Sequence, residues 1–310
     1  MVVATGFFDG VHLGHRIVID ALVRAARERG TDSVVITFWP HPRNVLQNGA
    51  RGLRLLSSSP EKESLLRSLG VDRVEVVPFT REFSRLTTEE YLRSLVMERF
   101  GGSAIVLGCD NRIGYNSGTT DEIAAIARGM GLEVIRTDPF VLEGVTVSST
   151  QIRKALSEGE VAWASRMLGY DYPLSGIVVE GNRIGRTLGF PTANMQPSDP
   201  LKQIPGGGVY LCRVRTLGRC YYGMTNIGTR PTVTGVSQGE ALSDKIRTVE
   251  THIFDFDEEI YGLDIRVEFL ERIRAERRFE SLAGLREQLV SDRSSCLARI
   301  GALREAGLFQ

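Results

Sequence analysis

Read by the spacing of its apolar residues, the chain changes character once, near Pro173. Before that point short apolar runs alternate with helical stripes. Residues 2–4 form a short apolar strand. Ile17, Val18, Leu22, Val23 and Ala26 then recur at helical spacing, and Gly30 behind them ends the helix. Residues 33–38 are a near-continuous apolar strand of the kind a parallel sheet buries on both faces. Ser59, Pro60 and Glu61 combine a cap, a first-turn proline and an acid, opening a helix that closes at Gly70. Residues 74–77 are the next strand, and Thr87 to Glu90 make a capping box for a helix that runs to Phe100. A strand at 104–107, a helix at 121–128 and a strand at 132–135 follow. A hydroxyl-rich cap at 148–150 leads a helix through Leu156, and 160–168 is a further short helix. This alternation predicts an α/β Rossmann-like domain over residues 1–168, a doubly wound parallel sheet whose ligands lie at the carboxyl ends of its strands.

Residues 169–173 read as the connection out of that domain. From 171 to 310 the pattern becomes short strands with turns about every ten residues, which predicts an antiparallel β-barrel. Its expected strands are 177–179, 209–214, 220–222, 248–254 and 264–269. The last stretch returns to helical spacing through Leu282, Leu285, Leu289, Cys296 and Ile300, so a C-terminal helix covers 281–304. Arg272, Arg274, Arg277 and Arg278 alternate with glutamates and read as a solvated face.

With 310 residues there is room for two cores. The 38 basic and 38 acidic side chains cancel, which argues against a general nucleic-acid or membrane-surface binder. No apolar run spans a bilayer and nothing at Met1 reads as a signal peptide, so a cytoplasmic location is expected. Cys109, Cys212, Cys220 and Cys296 form no C-x-x-C, which speaks against a cysteine metal site. Cys212 and Cys220 are expected to face each other, reduced, across a hairpin that turns near Leu217 and Gly218. There is no G-x-x-x-x-G-K-[ST], so any ATP chemistry is not of the P-loop kind.

The chemistry gathers where the pattern predicts. Gly6-Phe7-Phe8-Asp9-Gly10-Val11-His12-Leu13-Gly14-His15 joins the first strand to the first helix. Backbone N–H groups at a helix mouth face an anion there, and two histidines spaced i, i+3 lie on one side. Two histidines alone are as well explained by capping or packing; the rest of the string tips the balance. Thr37 to Arg43, with His41, ends the second strand. Residues 108–114, with Asp110 and Asn111, follow the strand at 104–107. Ser148-Ser149-Thr150-Gln151-Ile152-Arg153 offers hydroxyls, N–H groups and a guanidinium to a triphosphate. The second domain carries Gly181 to Asn194, a glycine-bearing stretch in which Thr192 and Asn194 point the same way and can offer neutral oxygens to magnesium.

In order and spacing these segments resemble the bifunctional bacterial riboflavin kinase/FAD synthetase family. Residues 6–15, 37–43, 108–114 and 148–153 are similar to its FMN adenylyltransferase half. The string 181–194, with 208–210, 226–232 and 249–253, is similar to its riboflavin kinase half. The resemblance implies an adenylyltransferase ATP site at Gly6, Phe7, Asp9, Gly10, His12, His15, Ser149, Thr150 and Arg153, and an FMN site at His41, Arg43, Asp110 and Asn111. It implies a kinase ATP site at Gly181, Gly185, Arg186, Gly189, Thr192 and Asn194, with Mg2+ at Thr192 and Asn194. Glu250 is implied as the base that takes the ribityl proton in the kinase step, with Asn194 catalytic beside it, and His12 and His15 as the catalytic residues of adenylyl transfer. The chain departs from the family at Asn111 and Ile113, where aromatic residues are usual, and at Thr146, where a basic residue often stands. The expected activity is two ATP-dependent steps, riboflavin to FMN and FMN to FAD, on small-molecule substrates. The alternative is a riboflavin kinase only, its first domain impaired by those changes.

Overall fold

A computed structural model describes residues 1–46, 52–116, 118–181, 184–229 and 247–305. The chain divides into two compact units, Met1–Gln151 and Ile152–Gln310.

The first unit is the expected parallel α/β layer. Its elements are β1 (Val2–Thr5), α1 (Leu13–Glu28), β2 (Ser33–Trp39), α2 (Pro42–Leu46), α3 (Ser59–Ser68), β3 (Arg73–Pro78), α4 (Thr88–Tyr91), β4 (Ala104–Leu107), α5 (Thr120–Gly129) and β5 (Glu133–Arg136). The strands lie in the order β3-β2-β1-β4-β5, every pairing parallel. β1 and β4 are buried at every position and β2 at all but its last, which is why they read as unbroken apolar runs. The edge strands β3 and β5 are only partly covered. Alternate residues feed two cores: Val34, Ile36 and Phe38 pack with Leu92 and Ile123 on one face, and Val35 with Leu22 and Leu66 on the other. Capping boxes start three helices, Ser58 with Glu61, Thr87 with Glu90 and Thr119 with Glu122. The first of these caps lies one residue earlier than the sequence reading placed it. α4 runs into a π-helical segment, Leu92–Arg99. A two-residue hairpin, β6 (Val141–Leu142) and β7 (Val145–Thr146), leads to α6 (Ser149–Glu158), which carries the chain into the second unit.

There, α7 (Val161–Leu168) precedes β8 (Tyr172–Val179), α8 (Ile184–Thr187), β9 (Ala193–Pro197), β10 (Gly208–Thr216), β11 (Arg219–Thr229), β12 (Arg247–Ile253) and β13 (Asp264–Ala275), and α9 (Leu282–Glu305) ends the described chain. The six strands close a barrel in the order β10-β11-β12-β9-β8-β13, all antiparallel. β8 starts at Tyr172, inside the stretch read as a connection, because Tyr172, Leu174 and Val178 alternate into the core. β9 has only Met195 buried, so its sequence gives little strand signal. The β10–β11 turn falls at Leu217 and Gly218 as expected, but Cys212 pairs with Gly223 and Cys220 with Arg215, so the two thiols do not face each other. All four cysteines are free.

On α9 the buried stripe is Asp292, Cys296 and Ile300, and Leu282 is exposed. The arginines of β13 are not a solvated face. Arg274 donates to both carboxylate oxygens of buried Asp292, at 2.8–3.0 Å. Arg272 donates to the carbonyls of Glu158 and Gly207. Both were misread because their partners lie outside the local periodicity.

Candidate active sites

In the first unit the chain leaves β1 beside β4, where the strand order reverses, and turns through Gly6 to Val11 before α1 begins. The turn is held in an unusual backbone: Phe8 (φ 52), Gly10 (φ 78) and Val11 (φ 38) are all left-handed. For the two non-glycine residues that costs about 1–3 kcal/mol each, sustained only by firm surroundings. Those surroundings are visible. The Asp9 carboxylate, 4% exposed, accepts from the backbone N–H groups of Leu56 (2.9 Å) and Ser57 (3.1 Å). The Gly10 N–H donates to Ser57 Oγ at 2.9 Å. The Phe7 carbonyl accepts from Thr37 Oγ1 (3.1 Å) and Lys62 Nζ (3.0 Å).

His12 caps α1: its Nδ1 accepts from the His15 N–H at 3.3 Å. The two imidazoles stack with centroids 3.6 Å apart and planes 18° from parallel. Gly14 between them keeps this packing close, since a Cβ there would approach the His12 ring to 3.2 Å and the Val147 carbonyl to 3.3 Å. Burial first, then His12 and Lys62, push the His15 pKa well below its ordinary 6.5, so its ring is neutral. The buried Nδ1 of His15 has no protein partner. Ser149 donates to the Asp9 carbonyl at 3.0 Å, bringing the start of α6 to the turn, and Ser148 caps that helix by accepting from Gln151 N–H. Thr150 is exposed in the first helical turn, and Arg153 follows Ser149 by one turn.

Of the residues expected around FMN, His41 sets its ring against Phe7, centroids 4.2 Å apart, and accepts from the Arg43 N–H at α2. Asp110 is exposed beyond β4. The Asn111 carboxamide is spent on the backbone, accepting from Gly108 N–H and donating to the Thr5 carbonyl, so it ties the ends of β1 and β4 together. Ile113 is buried in the core. Thr146 is exposed on β7.

In the second unit a cavity of about 300 Å³ is lined by Gly181, Arg186, Thr192 and Asn194, together with Thr251 and residues 256–261. The strand register sets Asn194 directly across from Glu250, and Glu250 across from Asn226, so three polar side chains share one face in a row over β9, β12 and β11. Glu250 is not part of the cavity lining itself. Gly181 is tight, since a Cβ there would collide with the Asn194 carboxamide. Gly185 is equally tight against the Phe190 carbonyl, and Gly189 adopts φ 82. His252 Nδ1 lies 2.8 Å from the Pro191 carbonyl. Asn182, Arg183 and residues 230–232 of the sequence strings lie outside the described residues. Among the described residues no group of three His, Cys, Asp or Glu is arranged to hold a metal ion. The neutral oxygens of Thr192 and Asn194 fit a magnesium ion whose other ligands are water and phosphate.

Sequence reasoning missed Lys62, the Leu56–Ser57 backbone that grips Asp9, and the 256–261 loop, and it named Asn226 only within a matched string. Lys62 alone left a trace, a lysine one helical turn before Leu66 on the buried stripe of α3.

Among the described residues no helix is long and apolar enough to cross a membrane. Residues 1–151 match the family model for FAD synthetase, and residues 168–300 that for riboflavin kinase. A bifunctional riboflavin kinase/FMN adenylyltransferase from Listeria monocytogenes is 36% identical over 98% of this chain and 94% of its own. The Escherichia coli (strain K12) protein of the same description is 35% identical over the same shares. A crystal structure described as a macrolide-efflux protein from Streptococcus pneumoniae superposes with a TM-score of 0.85 at 33% identity, covering 94% of this chain and 92% of that one. The parallel α/β unit with its histidine-bearing turn, the six-stranded barrel and full-length relatives agree: the chain belongs to the bifunctional riboflavin kinase/FMN adenylyltransferase family.

Proposed function

We propose that the family's two reactions run at two separate sites, each built on its own string of residues. Residues 171–310 are proposed to phosphorylate riboflavin and residues 1–168 to adenylylate the product. In the kinase step the terminal ribityl hydroxyl attacks the γ-phosphorus of ATP, the bond to the β-phosphate oxygen breaks, and ADP leaves. Glu250 takes the hydroxyl proton; a carboxylate on a barrel strand has its direction fixed by the backbone. Thr192 and Asn194 would hold magnesium, which supplies charge neutralisation at the phosphates. Gly181, Gly185 and Gly189 let the backbone approach those phosphates, and Arg186 follows Gly185 on α8.

In the second step a phosphate oxygen of FMN attacks the α-phosphorus of another ATP and pyrophosphate leaves. No protein nucleophile is needed, because the attacking phosphate is already anionic. The work is alignment and stabilisation of charge by His12, His15, the mouths of α1 and α6, Ser149, Thr150 and Arg153. A neutral His15 serves as hydrogen-bond partner rather than as a fixed cation, and its unoccupied Nδ1 supports that role. Gly6, Phe7, Asp9 and Gly10 shape the turn, while His41, Arg43, Asp110 and Asn111 belong to the FMN side. Asp9 and Asn111 contribute there through the backbone they hold, since their side chains are directed to it. A cytoplasmic location belongs to the same reading, supported by exposed free thiols at Cys109 and Cys220.

The observation that carries this reading is the stacked, partly unsatisfied histidine pair at the α1 mouth, which the kinase chemistry has no use for. That observation favours two activities over a kinase alone. Incubation with riboflavin, ATP and Mg2+ should give FMN and then FAD on a chromatogram. Neither product would end the reading, and FMN alone would leave the kinase-only alternative.

A further inference from the structure

Lys62 is a buried charged group beside the first unit's histidine-bearing turn that neither reaction has yet used. It stands on α3, and its side chain is 2% exposed. Helix packing alone does not ask for an ammonium there: Leu66, one turn on, fills the same face with hydrocarbon. What the ammonium does is local and specific. Its Nζ donates to the Phe7 carbonyl at 3.0 Å, sharing that oxygen with Thr37 Oγ1, and it sits 3.9 Å from the centroid of the Phe7 ring. The same ring is in contact with His41. One buried cation thus fixes both the peptide that leads into the left-handed turn and the ring that backs His41.

We infer that Lys62 is a positioning residue for FAD formation: from beneath the turn it sets the Phe7 peptide, and through it the His12–His15 pair on one side and His41 on the other. The inference rests on the adenylyltransferase reading of that turn. A charge is better suited to this than a neutral donor, because it binds the carbonyl and the ring face together and biases the site toward anions. Asp9 from the turn and His15 from α1 face it. Burial lowers the Lys62 pKa to about 8, against the opposing pull of Asp9, so the charge is within reach of titration.

The test compares the parent chain with Lys62→Met and Lys62→Arg, measuring FAD formation from FMN and ATP between pH 6 and 9.5. FMN formation from riboflavin reports on the other unit in the same preparation. The parent should lose FAD formation above about pH 8 while FMN formation shows no such limb. Lys62→Met should lower kcat for FAD by tenfold or more at pH 7, with FMN formation unchanged and the alkaline limb gone. Lys62→Arg should keep more activity than Lys62→Met and move the limb up by at least one pH unit. FAD kinetics within twofold of the parent in Lys62→Met, or a limb that Lys62→Arg does not move, would overturn the inference. If Lys62→Met does not fold, the Lys62→Arg profile decides alone. A parent that makes no FAD instead refutes the adenylyltransferase reading on which the inference stands.

Discussion

Asp9 looks, from its place in the histidine-bearing string, like a residue that meets the nucleotide, and its geometry says that it holds a loop. Replacing it by alanine separates the two ideas. Asp9→Ala removes the acceptor for the N–H groups of Leu56 and Ser57, which are 0% and 4% exposed and cannot turn to water. An orphaned buried N–H costs about 1–3 kcal/mol, so the pair costs roughly 2–6 kcal/mol. Lys62 also loses its facing carboxylate, which adds to that sum. A middle value of about 4 kcal/mol is a large share of the ~5–15 kcal/mol that holds a domain of this size together. For the 151 residues of the first unit it corresponds to a drop in Tm of roughly 8–16 °C. The assay heats the variant in steps and measures residual FAD and FMN formation after each. FAD formation should fail at a markedly lower temperature than in the parent, with the FMN curve unmoved. If the first unit of Asp9→Ala melts within about 2 °C of the parent while FAD formation has collapsed at 25 °C, the carboxylate acts on the nucleotide and the loop-holding account is wrong.

His15→Ala should abolish FAD formation by a factor on the order of a hundred or more and leave FMN formation intact, while Asn194→Ala should do the reverse when FMN is supplied; loss of both activities in either variant, read by chromatography, would show that the sites are not independent. Arg274→Ala should cost the second unit about 3–5 kcal/mol by stranding the buried Asp292 carboxylate, and the double change Arg274→Met with Asp292→Leu should recover most of it; urea unfolding of both variants checks this. His15 is neutral in the folded unit because its pKa lies below the unfolded value near 6.5. The unfolded chain therefore takes up the proton first as pH falls, so this stabilisation is present above about pH 6.5 and is lost below it, at up to about 1.4 kcal/mol per pH unit. Unfolding midpoints between pH 7 and 5 should show that slope for the first unit, and His15→Asn should flatten it.

How much of this the sequence disclosed depends on how far apart the interacting residues lie. The parallel sheet was legible because β1, β2 and β4 are buried on both faces and leave unbroken apolar runs. The helix start at Thr87 was legible because its cap is local, a hydroxyl and a glutamate three residues apart, whereas the cap at Ser58 was read one residue late and that at Thr119 was not read. The histidine pair was legible for the same reason, since its geometry is written in one helical turn. The supports of the site were not. Lys62 and the Phe7 carbonyl are 55 residues apart, Asp9 and Leu56 47, and Arg274 and Asp292 18, distances at which periodicity says nothing about contact. β9 was hidden because Met195 is the one buried residue of its five, which erases the alternation that marks a strand. Polar residues on apolar stripes were the remaining clue. Asp292 on the stripe of Cys296 and Ile300, and Lys62 on that of Leu66, each break a helical pattern at a buried position. A buried charge at such a place must be matched by something distant, so the break itself announces a long-range partner without naming it. In α9 that partner turned out to anchor the helix to the barrel, and in α3 it is the carbonyl that shapes the turn ahead of the histidines.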